Sequence, residues 1–209
     1  LTPGYVGHAD EVSDEVSYDA QENAMAIVVE RGMQALMQRV DSDVLALGAT
    51  AATDSDFTDA ALTEARLVEA QADYLANEPH EGDVACVLGR RQIRDLKLDM
   101  SQNGGAHWGA DAASMRMQEF LKLGRGFEGE FYGMAVLSSG NVVDAASNNT
   151  GFICKMGDQG ALAYGVWEGA NVEYRRLPRS KEWELTMAIR YGVAISDPLN
   201  VHAVISQSV

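Results

Sequence analysis

Residues Trp183–Ser196 read WELTMAIRYGVAIS, and their order decides the class of fold. The odd positions carry Trp183, Leu185, Met187, Ile189, Tyr191, Val193 and Ile195, and the even positions Glu184, Thr186, Ala188, Arg190, Gly192, Ala194 and Ser196. Successive side chains of a strand point to opposite faces, so strict alternation predicts one long strand with a single face on a core. Asp197 and Pro198 interrupt it, because proline lacks the N–H that a ladder needs. Val201–Ile205 is expected to pair back.

Upstream, the apolar runs Gly129–Leu137, Thr150–Met156 and Val172–Leu177 are expected to be strands, with a short helix over Asp158–Ala163. The first half has a different period. Met25, Val29, Met33, Leu36, Val40, Val44 and Leu47 recur at steps of three and four, one stripe of a helix. A helix over Asp19–Leu47, capped by Ser17 or Asp19 and ended by Gly48, would be roughly 43 Å long at 1.5 Å per residue. Residues 1–18 show no period and are expected to be an extended arm or loop. After a polar link, Ala49–Asp56, a second helix is predicted over Thr58–Ala76 with Leu62, Ala65, Val68, Ala72 and Leu75 facing inward. A turn at Asn77–Gly82 leads to a strand, Asp83–Leu88, and a helix, Arg90–Met100, with Ile93 and Leu96 inward. A long loop, Ser101–Ala113 around Trp108, precedes a short helix starting near Ser114. The whole is an α+β chain without an internal repeat.

With 209 residues, 46% of them apolar, the chain can bury a core in one domain or two joined lobes. A formal net charge of −15 repels nucleic acid and anionic membranes, which disfavours sequence-specific DNA or RNA binding. Cys86 and Cys154 lie in separate strand-like runs without a Cys-x-x-Cys partner, as two buried thiols in a reducing compartment would. No apolar run is long enough to span a bilayer and no leader pattern opens the chain, so the expectation is a soluble, unsecreted protein. The start at Leu1 reads as a processed or incomplete product.

Motifs for chemistry are scarce. Gly124, Gly126 and Gly129 spell G-x-G-x-x-G, but a dinucleotide site needs a strand before and a helix after, and here the order is reversed; a turn is the expectation. His8, His80, His107 and His202 are scattered without ligand spacing. Asp54, Asp56 and Asp59 lack the frame of a calcium loop and read as an acidic cap on the following helix. There is no nucleophile elbow, no phosphate-binding lysine loop and no zinc-protease motif, although paired carboxylates can be brought together by folding alone. No catalytic, cofactor-binding or metal-ligating residue is assigned from the sequence, and no cofactor is expected.

The order of a long helix, a mixed middle and a long closing strand resembles the major capsid proteins of tailed bacteriophages, the Hong Kong 97-type fold. Residues 19–47 look like the family's spine helix. Ala61–Leu96, ALTEARLVEAQADYLANEPHEGDVACVLGRRQIRDL, is similar to its axial helix, the following strand and the next helix. EFYGMAVLSSGN, Glu130–Asn141, resembles a strand crossing back, and Trp183–Ile205 resembles the closing element that returns to the peripheral domain. The likeness runs from residue 19 to 209 and rests on order, since no string in it is a catalytic signature. The family's amino-terminal arm and extension loop have little room in the first 18 residues.

The resemblance implies a peripheral domain from residues 19–57 and 178–209, an axial domain from 58–177, and an arm or remnant at 1–18. It implies a non-enzymatic subunit that forms pentamers and hexamers of itself and, from these, an icosahedral virus head around double-stranded DNA held without sequence-specific contact. Scaffold, portal and decoration proteins would be further partners, and the site would be the virion, assembled in the host cytoplasm. Ser101–Ala113 and Asp144–Asn149 would lie at each ring's centre. An encapsulin-like compartment shares the fold and is the alternative; an α/β hydrolase or nucleotide-binding enzyme is the reading from another class.

Overall fold

A computed structural model describes residues 1–77, 82–102, 126–145, 148–157, 160–179 and 182–207, with 14–23, 101–102 and 143–145 described in backbone only. The chain divides into two compact units, residues 1–43 with 164–194 and residues 44–163 with 195–209. The carboxyl-terminal strand joins the second unit, in the middle of the chain.

The first unit is built on the alternating strand. β9 (Glu182–Ile195) is the centre of a three-stranded sheet flanked by β1 (Gly4–Ser13) and β8 (Leu162–Leu177). Leu185, Met187, Ile189 and Tyr191 are buried, as the period requires, and Met187, Ile189 and Tyr191 pack on Leu36 and Val40 of helix α1 (Asp14–Gly48). Each such side chain removed from water contributes about 1.5–3 kcal/mol. Of the predicted helical stripe, Leu36 and Val40 are buried and Met25, Val29 and Met33 are half-buried. Tyr191 donates its hydroxyl to Asp43 (2.6 Å), which also holds Arg39 one turn away at 3.0 Å.

Residues 4–13, within the stretch expected to be an extended arm or loop, form a strand that pairs antiparallel with β9 from Gly4↔Tyr191 to Ser13↔Glu182, which satisfies one of its edges. The helix starts at Asp14, so Ser17 and Asp19 lie inside it rather than capping it. The expected strand Val172–Leu177 is the last part of the 16-residue β8.

The second unit contains a sheet in the order β2-β10-β7-β3-β5-β4, with β6 pairing β7, formed by β2 (Asp54–Phe57), β3 (Val84–Gly89), β4 (Phe127–Phe131), β5 (Met134–Ser139), β6 (Val143–Ala145), β7 (Asn148–Lys155) and β10 (Val201–Gln207). β3 is central and apolar throughout because both its faces are covered. Cys86 and Leu88 face a core shared with helices α2 (Glu64–Ala76) and α3 (Arg90–Gln102), while Ala85 and Val87 face Phe152, Val201 and Leu45.

Several sequence expectations change in this unit. The link Ala49–Asp56 ends in β2, where buried Ser55 and Phe57 alternate with exposed Asp54 and Asp56. Helix α2 begins at Glu64, six residues later than expected, with Thr63 as its cap (Arg66 N–H to Thr63 Oγ1, 3.4 Å). Its inner face is Leu67, Ala70 and Tyr74, not Ala65, Val68, Ala72 and Leu75, all of which are exposed; the helix carries two apolar stripes, and the one with the larger side chains is buried. The run Gly129–Leu137 is a hairpin, β4 and β5, turning at Tyr132 and Gly133 with φ of 45° and 80°, the two positive values a tight hairpin turn needs.

Residues 160–163 of the expected helix Asp158–Ala163 are not helical, since Ala161 accepts from Ser196 and Leu162 starts β8; 158–159 lie outside the described residues. Val201–Ile205 does not pair with β9. After Asp197 caps a turn of 3-10 helix over Pro198–Asn200, β10 runs antiparallel to β7 and parallel to β2. The loop from residue 103 to 113 and the helix near Ser114 lie outside the described residues, and Asp144 pairs with Asn149 across β6 and β7.

Candidate functional site

Folding brings together a polar cluster that no sequence spacing announces. Ser55 on β2 donates its hydroxyl to Asp73 of α2 (2.7 Å), and its oxygen lies 2.8 Å from Nε2 of His202 on β10. Nδ1 of His202 is 3.0 Å from Thr53 Oγ1, which also receives a bond from Asn77 Nδ2 (3.3 Å). Because Ser55 gives its proton to a carboxylate, which only accepts, Nε2 of the neutral imidazole is the donor and Nδ1 the acceptor. The bonds then run in one direction, Asn77 to Thr53 to His202 to Ser55 to Asp73.

Serine, histidine and aspartate are the members of a nucleophilic triad, but their roles here differ. In a triad the carboxylate holds the histidine and the histidine takes the proton of the serine. In this cluster the carboxylate holds the serine, and Ser55 and His202 are 4% and 2% exposed, out of reach of a substrate. Burial keeps the His202 imidazole below its ordinary range against the pull of Asp73 and Asp54. The arrangement can fasten α2 to the β2–β10 edge; it cannot attack a bound molecule.

A second lock is Gln92, fully buried at the start of α3. The two protons of its Nε2 are shared among Asn149 O (3.2 Å), Val204 O (3.2 Å) and Ser206 Oγ (3.0 Å), and its Oε1 accepts from Gly89 N–H (3.0 Å). One side chain thus ties a helix to β3, β7 and β10. Sequence gives no sign of it, since glutamine after two arginines reads as surface.

The residues weighed for chemistry fall elsewhere. Gly126 and Gly129 flank the start of β4, where the ladder to β5 slips by a residue and Gly129 has φ of 153°, open to glycine alone; Gly124 lies outside the described residues. Asp54 and Asp56 stand on β2 and Asp59 pairs with Arg66 (3.3 Å), so they do not cap the next helix as expected. Among the described residues no group of three acidic, histidine or cysteine side chains is placed to hold a metal. His80 and His107 lie outside them. Cys86 and Cys154 are free and buried, and burial pushes both thiols up, Cys154 to about 12. Among the described residues no helix is long and apolar enough to cross a membrane.

Exposed surfaces carry more than the interior does. On β1, β8 and β9 a groove of about 380 Å³ contains Tyr5, Glu168 and Arg190; Tyr5 donates to Glu168, and the Arg190 guanidinium stands 5.7 Å over the Tyr5 ring. Beside α2 a groove of about 510 Å³ is formed by Ala65, Val68, Asp99 and Tyr132 among others. Val166, Trp167 and Tyr174 of β8 are exposed.

Among solved structures, one from Mycobacterium phage Che8 superposes on 96% of this chain and 70% of its own, with a TM-score of 0.73 at 16% identity. The chain has the Hong Kong 97-type capsid fold. The capsid of Ralstonia phage GP4 matches this Hong Kong 97-type chain over 99% of its length and 74% of the phage protein's, with a TM-score of 0.70 at 12% identity. The SrpI encapsulin of Synechococcus elongatus matches over 97% and 73%, with a TM-score of 0.72 at 12% identity. No family model and no curated protein sequence matches the chain.

Proposed function

We propose that this chain is a structural major capsid protein, which assembles with copies of itself into the pentamers and hexamers of an icosahedral head around double-stranded DNA. The observation that carries the reading is the superposition of nearly the whole chain on the capsid of Ralstonia phage GP4. In this reading the unit of residues 1–43 and 164–194 belongs to the peripheral domain and the unit of 44–163 and 195–209 to the axial domain. The work is assembly: heterologous contacts whose rotation closes, many weak interfaces adding to a rigid container. The charge of −15 fits a wall that holds DNA without gripping it. Portal, scaffold and decoration proteins would join in the head, and the chain would work as a non-enzymatic subunit of the virion, assembled in the host cytoplasm.

Negative-stain electron microscopy of the purified chain tests this. Uniform closed shells support it, and a monodisperse single protomer at high concentration overturns it. The match to the SrpI encapsulin favours a second reading, a protein compartment. Nuclease-protected DNA in shells isolated from their natural source supports the virus head; shells filled with an enzyme instead support the compartment.

A further inference from the structure

Helix α2 has an unburied apolar stripe. Ala65, Val68, Ala72 and Leu75 follow one another at helical spacing, and Val68 and Leu75 are 39% and 57% exposed although the opposite face fills the core. A helix that is apolar on two sides is built to be covered on both. The rim is acidic: Glu69 and Asp73 are exposed along one side of the stripe and Glu64 lies on the other.

Helix α3 shows the complement. Its outward face holds Arg90, Arg91, Arg94 and Lys97, with Leu98 among them 52% exposed. Arg94 and Lys97 rest on Asp95 and Glu128, both at 2.7 Å. The two outer faces cannot meet within one molecule, because the inner faces of α2 and α3 share one core in the same unit.

The geometry points to a second copy of this chain as the occupant: the basic α3 face of one protomer, led by Leu98, seats on the acidic-rimmed α2 stripe of the next. Such a contact joins two different surfaces, so it repeats head to tail and builds a ring if the rotation closes. Opposite charge at the rims sets partner and register, while Val68, Leu75 and Leu98 supply the apolar centre. The inference rests on the assembly reading above and adds the faces that meet.

Cross-linking with a short bismaleimide tests it, since Cys86 and Cys154 are buried and stay out of the reaction. The double variant Val68→Cys with Leu98→Cys is expected to give a ladder of covalent oligomers, and each single variant none. A wild-type chain that associates in sedimentation while the double variant gives no ladder overturns the α2–α3 contact and leaves the shell reading standing. A wild-type chain that sediments as one protomer at its highest soluble concentration overturns both. In a charge exchange, Glu69→Arg and Arg91→Glu are each expected to lower association at least tenfold and to recover most of it when combined; losses that simply add in the double variant overturn the pairing of these rims.

Discussion

At the scale of single residues, stability depends on how buried polar atoms are paired. Gln92 satisfies groups on three strands, so Gln92→Ala leaves Gly89 N–H and several acceptors unmatched and is expected to cost about 2–4 kcal/mol in urea unfolding. Tyr74 is the opposite case. Its hydroxyl is buried without a protein partner among the described residues, and burial pushes it up to about 12. Tyr74→Phe removes an unpaired polar atom from an apolar core and is expected to be neutral or to stabilise by about 1 kcal/mol in the same assay.

His202 adds a pH dependence with a definite sign. Its imidazole is held below the ordinary value by burial, so the unfolded chain binds the proton more readily than the folded one. The stability this contributes is complete above about pH 6.5 and is lost as pH falls from there through the lower folded value. Urea midpoints measured between about pH 7.5 and about pH 5 should fall more steeply for wild type than for His202→Gln. Equal slopes would show that the cluster takes up its proton without strain.

At the scale of elements, β9 and α1 form one core from two periods. Ile189 is 3% exposed on the inward face, and Ile189→Asp puts a carboxylate against Leu36 and Val40. A loss of about 3–5 kcal/mol is expected, read as unfolding or insoluble expression, whereas Thr186→Asp on the opposite face should be tolerated. The β4–β5 hairpin illustrates what a pattern hides. The apolar run over 129–137 reads as one strand, and the turn inside it is made by Tyr-Gly, a pair without the usual Asn-Gly or Asp-Gly signature. α2 shows a similar ambiguity, since both of its apolar stripes have helical spacing and only packing selects Leu67, Ala70 and Tyr74.

At the scale of the whole molecule, net charge governs encounters. With −15 on each copy, the isolated subunit is expected to leave duplex DNA unshifted in a gel even at low salt; tight, salt-sensitive retardation would show that a local basic surface overrides the total. The fold itself was open to reading because it depends on order: a long helical stripe, a mixed middle and a long alternating strand. Both the Hong Kong 97-type arrangement and the capsid resemblance follow from that order.

What the sequence determined by itself is local: the 3.6-residue stripe of α1, the two-residue alternation of β9 and the doubly apolar β3, each a period set by covalent geometry. What only the tertiary structure decided is which surfaces meet. The parallel seating of β10 on β2, the strand made of residues 4–13, the cluster of Ser55, Asp73 and His202, and the outward turn of Val68 and Leu75 all depend on residues distant in the chain. Periodicity says that a face must be covered; only the competition among all the faces in three dimensions says by what.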